Sequence, residues 1–278
     1  MKRKYLTYIF STIVITQMIF SIPLILPPEG GDVTSIRVMT YNIHQYYVQD
    51  PSELVQKTGH YIFEKLLEVI KSSKADIIGL QENEGERLSS GNQNGVVWLA
   101  TQLGMYYYYG PPTSAQIYGE AILSRWPIVH QEWKAYPTPE GIERGIAYAV
   151  IDSPLGELNV YSTHFEIDRF PIAQREQAEF AVNYIGDKKA IVLGDFNTRS
   201  DENNEAYHIL YDAFTYGLVE AGNHENSSIG FTAPASNPSH KVDYIWLTRG
   251  DWNVVLGSYT VYGTPEASDH LAALIELA

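Results

Sequence analysis

Cysteine is absent from all 278 residues. No disulfide can staple this chain, and no thiolate is available as a nucleophile or a soft metal ligand. Cations are scarce as well: 19 Lys and Arg stand against 33 Asp and Glu, a formal net charge of −14. Such a surface field repels polyanions unless metal ions or a local basic patch intervene, and no arginine cluster suited to duplex DNA is visible. Internal repeats and low-complexity tracts are missing too. What is present is a chain 45% apolar and 19% charged, a globular balance with enough length to bury a sizeable core.

Lys2, Arg3 and Lys4 are followed by an uncharged stretch that ends only at Glu29. This run exceeds the roughly 7 to 15 apolar residues of a signal peptide and lacks a small-residue cleavage site. Tyr5 to Leu26 approaches the roughly 20 residues of a membrane span, though Gln17 and Pro23 weaken it. An uncleaved anchor and a cleaved signal are equally open. Either exports the remainder of the chain, because the basic flank stays in the cytoplasm. The sequence therefore predicts residues 1–31 as signal or anchor plus linker, and residues 32–278 as one extracytoplasmic domain, membrane-anchored or secreted. Removing the three leading bases takes the formal charge from −14 to −17.

Within that domain, short β-branched and aromatic runs alternate with a few helical patterns. Strands are expected at "IRVMTYNI", "DIIGLQE", "MYYYYG", "EAILSR", "GIAYAVID", "ELNVYSTHF", "AIVLGDF", "VDYIWL", "VVLGSYTVYG" and "HLAALIEL". Helices are expected at "SELVQKTGHYIFEKLLEVIKSS", "GVVWLATQL", "PIAQREQAEFAVNYIG" and "ENNEAYHILYDAF". In the first helix, Leu54, Ile62, Leu66, Val69 and Ile70 form an apolar stripe. "IDSPLGELNV" reads as a hairpin turning at Pro154 and Gly156. The fold class expected is α/β: a four-layer sandwich of two mainly antiparallel sheets packed face to face with helices outside.

Several of these strands end or begin in groups that chemistry can use. Asn42, Glu82, His164, and the pair Asp195 and Asn197 close apolar runs, while Asp243 opens one and Ser268, Asp269 and His270 precede another. Asp195 and Asn197, two apart, would point to the same side of a strand. If the last two strands run antiparallel to the others, all these places fall on one rim. Singly, each residue is as easily a turn former or a solvated polar group. Jointly, the acids supply hard oxygen ligands suited to Mg²⁺, Mn²⁺ or Ca²⁺, and an imidazole beside a carboxylate can be oriented for proton transfer. Metal-assisted attack of water on a phosphodiester uses all of these parts.

In order along the chain, "TYN", "LQE", "STH", "GDFN", "VDYIW" and "SDH" resemble the endonuclease/exonuclease/phosphatase superfamily, which includes deoxyribonuclease I, abasic-site endonucleases, neutral sphingomyelinases and inositol-polyphosphate 5-phosphatases. The section from "RLSSGNQNG" to "LSRWPI" is similar, more narrowly, to the C-terminal domain of the fungal cell-wall protein and its animal relatives linked to lipid remodelling of glycosylphosphatidylinositol anchors. The resemblance implies Mg²⁺ or Mn²⁺ on Glu82, with Asn42 beside it and Asp269 completing the shell. It implies an Asp243–His270 dyad, Asp195 on the attacking water, and Asn197 and His164 on the phosphate. Which of Asp195 and His270 is the base stays open. Arg144 aligns with a phosphate-binding arginine of some members, or is a surface arginine near a strand start. One departure stands out: "QENE" carries Asn83 and Glu84 where nuclease members place an arginine.

The expectation is an exported, metal-dependent phosphodiesterase acting on a lipid or other small diester, with the membrane met through the N-terminal segment. The alternatives are an extracellular nuclease, disfavoured by the acidic surface, and a non-catalytic relative that binds a phospholipid or anchor.

Overall fold

β1 (Ile36–Asn42) is buried along nearly its whole length, as a strand must be when one face meets a second sheet and the other lies under helices. In a computed structural model that describes residues 33–48, 57–58, 60–85, 92–110, 118–137, 141–200 and 203–278, it is followed by the short β2 (Tyr47–Val48) and β3 (Lys57–Thr58), α1 (His60–Ser73), β4 (Ile77–Glu84), α2 (Gly95–Leu103), β5 (Tyr106–Tyr109) and β6 (Tyr118–Ser124). Then come β7 (Ile128–Ala135), β8 (Gly145–Ser153), β9 (Gly156–His164), α3 (Pro171–Ile185), β10 (Ala190–Asp195), α4 (Glu205–Ala213), β11 (Phe214–Tyr216), α5 (Gly217–Glu220), β12 (Asp243–Thr248), β13 (Thr260–Tyr262) and β14 (Ala272–Leu277).

Two six-stranded sheets result, in the orders β13-β14-β1-β4-β6-β5 and β11-β12-β10-β9-β8-β7. The expected α/β sandwich is the observed architecture. Each sheet contains one parallel pair, β1 with β4 and β9 with β10, and each pair is joined through a helix, α1 and α3 respectively. A parallel pair needs such a crossover, and it sends both strands of the pair to the same edge. β12 runs antiparallel to β10, and β14 antiparallel to β1, so both begin at that edge.

Local signals set the helix bounds. Asn94 accepts the Val97 N–H at the start of α2, and Gly104 closes it in the left-handed region at φ 64°. Ile62, Leu66, Val69 and Ile70 of the expected stripe are buried, joined by Phe63, whereas Leu54 and the "SELVQ" stretch lie outside the described residues. Lys57–Thr58, inside the first expected helix, instead pairs as β3 with Tyr47–Val48, and the last expected helix stops at Ala213, Phe214 opening β11 against β12. Two strand expectations change as well. β7 is a strand that "IVHQEWKA" does not announce, because it lies at a sheet edge and its outer residues are exposed and polar. Of "VVLGSYTVYG" only Thr260–Tyr262 is a strand, because Gly257 at φ 74° turns the chain between Val254 and that segment. The signal or anchor expected in residues 1–31 lies outside the described residues, among which no helix is long and apolar enough to cross a membrane.

The sheets meet closely at Gly79 in β4. A Cβ there would lie 2.7 Å from Leu193 Cβ of β10 and 3.2 Å from Ser162 Oγ of β9. Beside it, Gln81 Nε2 donates to Ser162 Oγ (3.1 Å) and Thr40 Oγ1 donates to Gln81 Oε1 (3.2 Å), a polar tie between the sheets. Gly79→Ala is expected to destabilise the fold by about 1–3 kcal/mol, since Leu193 must shift in a close-packed interior. Urea unfolding followed by circular dichroism would measure it, and an unchanged midpoint would refute the tight seam.

Candidate active site

The strand ends expected on one rim are brought together. Asp195 and Asp243 are register partners at the β10–β12 edge, His164 is the register partner of Asp195 on β9, and Asn42 closes β1 beside Gln81 of β4. Each sheet contributes half of the cluster.

Glu82 reaches it by breaking its own strand. The β4–β6 register shifts between Leu80 and Asn83, and Glu82 sits at φ 57°. A non-glycine residue held there costs about 1–3 kcal/mol and persists only where neighbours over-determine it. Asn83 supplies that constraint: its buried amide donates to Leu80 O (3.0 Å) and Gly119 O (3.2 Å), Tyr46 Oη donates to its Oδ1 (3.0 Å), and Tyr109 Oη donates to its backbone oxygen (2.9 Å). Asn83 and Glu84, the departure from the nuclease pattern, are thus both buried, and Asn83 holds the bulge.

Around Glu82, Asn42 Nδ2 donates to Glu82 Oε1 (3.2 Å) and to Asp195 Oδ2 (2.9 Å), while Asn42 Oδ1 accepts the His44 N–H (3.0 Å). His44, Gln45 and Tyr46 form a turn entirely at positive φ, 46°, 53° and 60°. It aims Gln45 Nε2 at Glu82 Oε2 (3.1 Å) and His44 Nδ1 toward Asp269 Oδ1 (3.6 Å). Neither His44 nor Gln45 stands out in the sequence as a site residue, because their placement depends on left-handed backbone that "IHQYY" does not announce. Ser268 ties the "SDH" stretch to β1, donating to Asn42 O (2.7 Å) and accepting the His270 N–H (3.2 Å).

His270 Nδ1 donates to Asp243 Oδ2 (2.8 Å), and its Nε2 lies 3.8 Å from Asp195 Oδ2. Burial opposes charge on His270, but Asp243 and Asp195 outweigh it and raise its proton affinity well above the ordinary imidazole range. Burial, then the charge of Asp243, raises Asp195. Burial, then the charges of Arg144 and His270, holds His164 well below the ordinary range. Arg144 is buried rather than a surface arginine; its Nη1 lies 2.7 Å from His164 Nδ1.

Asn197 meets Asp195 by a different route from the strand alternation expected. β10 ends at Asp195, and Asn197 turns back at φ 49° with its N–H donating to Asp195 Oδ1 (2.9 Å). Its Nδ2 then donates to Phe165 O (3.1 Å) and lies 3.0 Å from His164 Nε2.

Hard oxygens from Glu82, Asp195, Asp243 and Asp269, with no thiolate, fit a divalent cation of the Mg²⁺ or Mn²⁺ type. Two further observations agree with such a charge: Asp243 Oδ1 is buried without a hydrogen-bond partner among the described residues, and ligand atoms of Asp195, Asp243 and His270 lie within 4.8 Å of one another.

A sequence model of the family described as "PGAP2IP, C-terminal nuclease-like domain" matches residues 55–221. The protein cwh43 of Schizosaccharomyces pombe is 32% identical over 88 residues, which are 32% of this chain and 9% of that protein's length. Among solved structures, an endonuclease/exonuclease/phosphatase family protein from Bacteroides thetaiotaomicron superposes with a TM-score of 0.66 at 17% identity, covering 88% of this chain and 97% of that one. A mannosyl-6-phosphatase from the same organism superposes with a TM-score of 0.65 at 16% identity, covering 87% and 99%.

Proposed function

This chain belongs to the family of PGAP2IP C-terminal nuclease-like domains, within the endonuclease/exonuclease/phosphatase superfamily, and on that premise we propose that it is an exported, divalent-metal-dependent phosphodiesterase acting on a lipid or other small diester. The observation that carries the reading is the convergence on Asp195 Oδ2 of Asn42 Nδ2 (2.9 Å), His164 Nε2 (3.5 Å) and His270 Nε2 (3.8 Å). Amide and imidazole groups gathered around one carboxylate suit a site that handles both a water and a phosphate oxygen.

In this reading Glu82 and Asp269 hold the cation with Asn42 beside them, and the cation supplies Lewis-acid polarisation of the phosphate when bound. Asp195, its proton affinity raised by burial, takes a proton from water on Oδ2. His270, charged and steadied by Asp243, donates from Nε2 to the phosphate. Asn197 Nδ2 and His164 Nε2 address a non-bridging oxygen. Export rests on the basic start and long uncharged run of residues 1–31, and the lipid preference rests on the acidic surface and on the resemblance of the section from "RLSSGNQNG" to "LSRWPI" to relatives linked to anchor-lipid remodelling.

The full-length protein should hydrolyse phospholipid head-group diesters or bis-p-nitrophenyl phosphate in Mg²⁺ or Mn²⁺, lose that activity in EDTA, and recover it on readdition of the ion. DNA should be cut more slowly. Rapid DNA digestion with little lipid hydrolysis would select the nuclease reading. Ligand binding with no turnover of any diester would select the non-catalytic one.

A further inference from the structure

We propose that Arg144 acts on the reaction through His164, as a positioning residue that fixes the ring with its proton on Nε2. Two donors face the ring, Arg144 Nη1 at 2.7 Å from Nδ1 and Asn197 Nδ2 at 3.0 Å from Nε2; the closer, charged donor decides the tautomer, and Nε2 also faces the Asp195 carboxylate, with Oδ2 at 3.5 Å. A guanidinium has donors and no acceptor, so an Arg144 Nη1 placed 2.7 Å from His164 Nδ1 requires a lone pair on that nitrogen. A ring with Nδ1 bare carries its hydrogen on Nε2, the nitrogen that faces the site.

Asn197 shows what that hydrogen is for. Its Nδ2 must face Phe165 O, 3.1 Å away, because only the amide nitrogen can donate to a carbonyl. The same Nδ2 lies 3.0 Å from His164 Nε2. The two donors are therefore neighbours beside Asp195 Oδ2, 3.5 Å from Nε2, and an anionic oxygen shared between them would satisfy both better than that distant carboxylate. Resting on the reading above that this site handles phosphate, the pair forms a two-donor cradle for a non-bridging phosphate oxygen, and Arg144 sets its histidine half.

Arg144 is itself built in. It is 4% exposed, and its Nη2 lies 3.9 Å from Glu166 Oε1. That carboxylate is fixed in turn by the Ile167 N–H on Oε1 (3.0 Å) and the Ile142 N–H on Oε2 (2.7 Å). The guanidinium thus has a charged support on one side and the imidazole on the other, which places it to serve the phosphate through that ring.

The test is a two-bond ¹H–¹⁵N spectrum of histidine-labelled full-length protein, with His164→Gln to identify the signal. Wild type should show His164 with a pyridine-type Nδ1 and a protonated Nε2, whether or not any diester is hydrolysed. Arg144→Met should release the ring to the Nδ1–H form or a mixture and lower kcat by roughly 10²-fold with KM little changed, the size of one lost donor to a developing oxyanion. Arg144→Lys, which keeps a donor and a charge, should restore the tautomer and most of kcat. An Nδ1–H ring in wild type would overturn the proposal without reference to activity. So would an unaltered His164 spectrum in folded Arg144→Met, or a loss confined to KM, which would place Arg144 on the phosphate directly.

Discussion

Asp243→Asn should lower turnover of a phosphodiester by roughly 10³- to 10⁴-fold while leaving the far-ultraviolet circular dichroism unchanged. Asp243 is fully buried and accepts from His270 Nδ1 at 2.8 Å, so it both aims the ring and keeps it charged. An isosteric amide preserves the packing and removes the charge; where a buried carboxylate orients a histidine, losses near about 10⁴-fold follow from the wrong tautomer. The pH profile carries the sign. Asp243 and Asp195 raise the proton affinity of His270 well above the ordinary imidazole range. Removing Asp243 lets burial dominate, so the alkaline limb of kcat should move to lower pH. A profile that keeps its limb, or turnover close to that of wild type, would remove His270 as the proton donor.

Glu82→Gln has the second large effect. Gln keeps an oxygen for Asn42 Nδ2 and fits the same bulge, so what it deletes is the charge and the second oxygen, which accepts from Gln45 Nε2. Wild type should gain thermal stability with added Mg²⁺ or Mn²⁺, as any protein does with a ligand of its native state. The variant should lose most of that gain and bind the ion at least about 10²-fold more weakly, several kcal/mol being typical of a metal's charge stabilisation. Titration calorimetry would read the affinity directly. Unaltered metal affinity would move the cation to the Asp195, Asp243 and His270 cluster, whose ligand atoms lie within 4.8 Å of one another.

Much of this site is legible in the sequence because its groups sit where apolar runs stop. "AIVLGD", "ELNVYSTH" and "IRVMTYN" are largely buried, so the polar residue that ends each run marks an edge, and strand–helix–strand order puts two of those edges on the same side. Helix α2 is readable to the residue, since Asn94 and Gly104 are local capping chemistry. Harder to see is whatever depends on backbone sign or on distant partners. Glu82, His44, Gln45 and Asn197 all lie at positive φ, which no side-chain pattern here signals. Arg144 reads as a strand-start cation because its partner, His164, lies on the neighbouring strand and Glu166 just beyond it. β7 is hidden by its polar outer face.

The pairing of β1 with β14 has a consequence in time. Ile36–Asn42 finds its antiparallel neighbour only in Ala272–Leu277, and His270 stands just ahead of that late strand. While the chain is being synthesised, Asn42, Glu82, His164 and Asp195 all precede the histidine by long stretches of sequence. Every shorter intermediate therefore lacks the proposed proton donor. On the proposed route through a membrane rich in phosphodiesters, the nascent chain carries no working hydrolase until β14 has been made and docked.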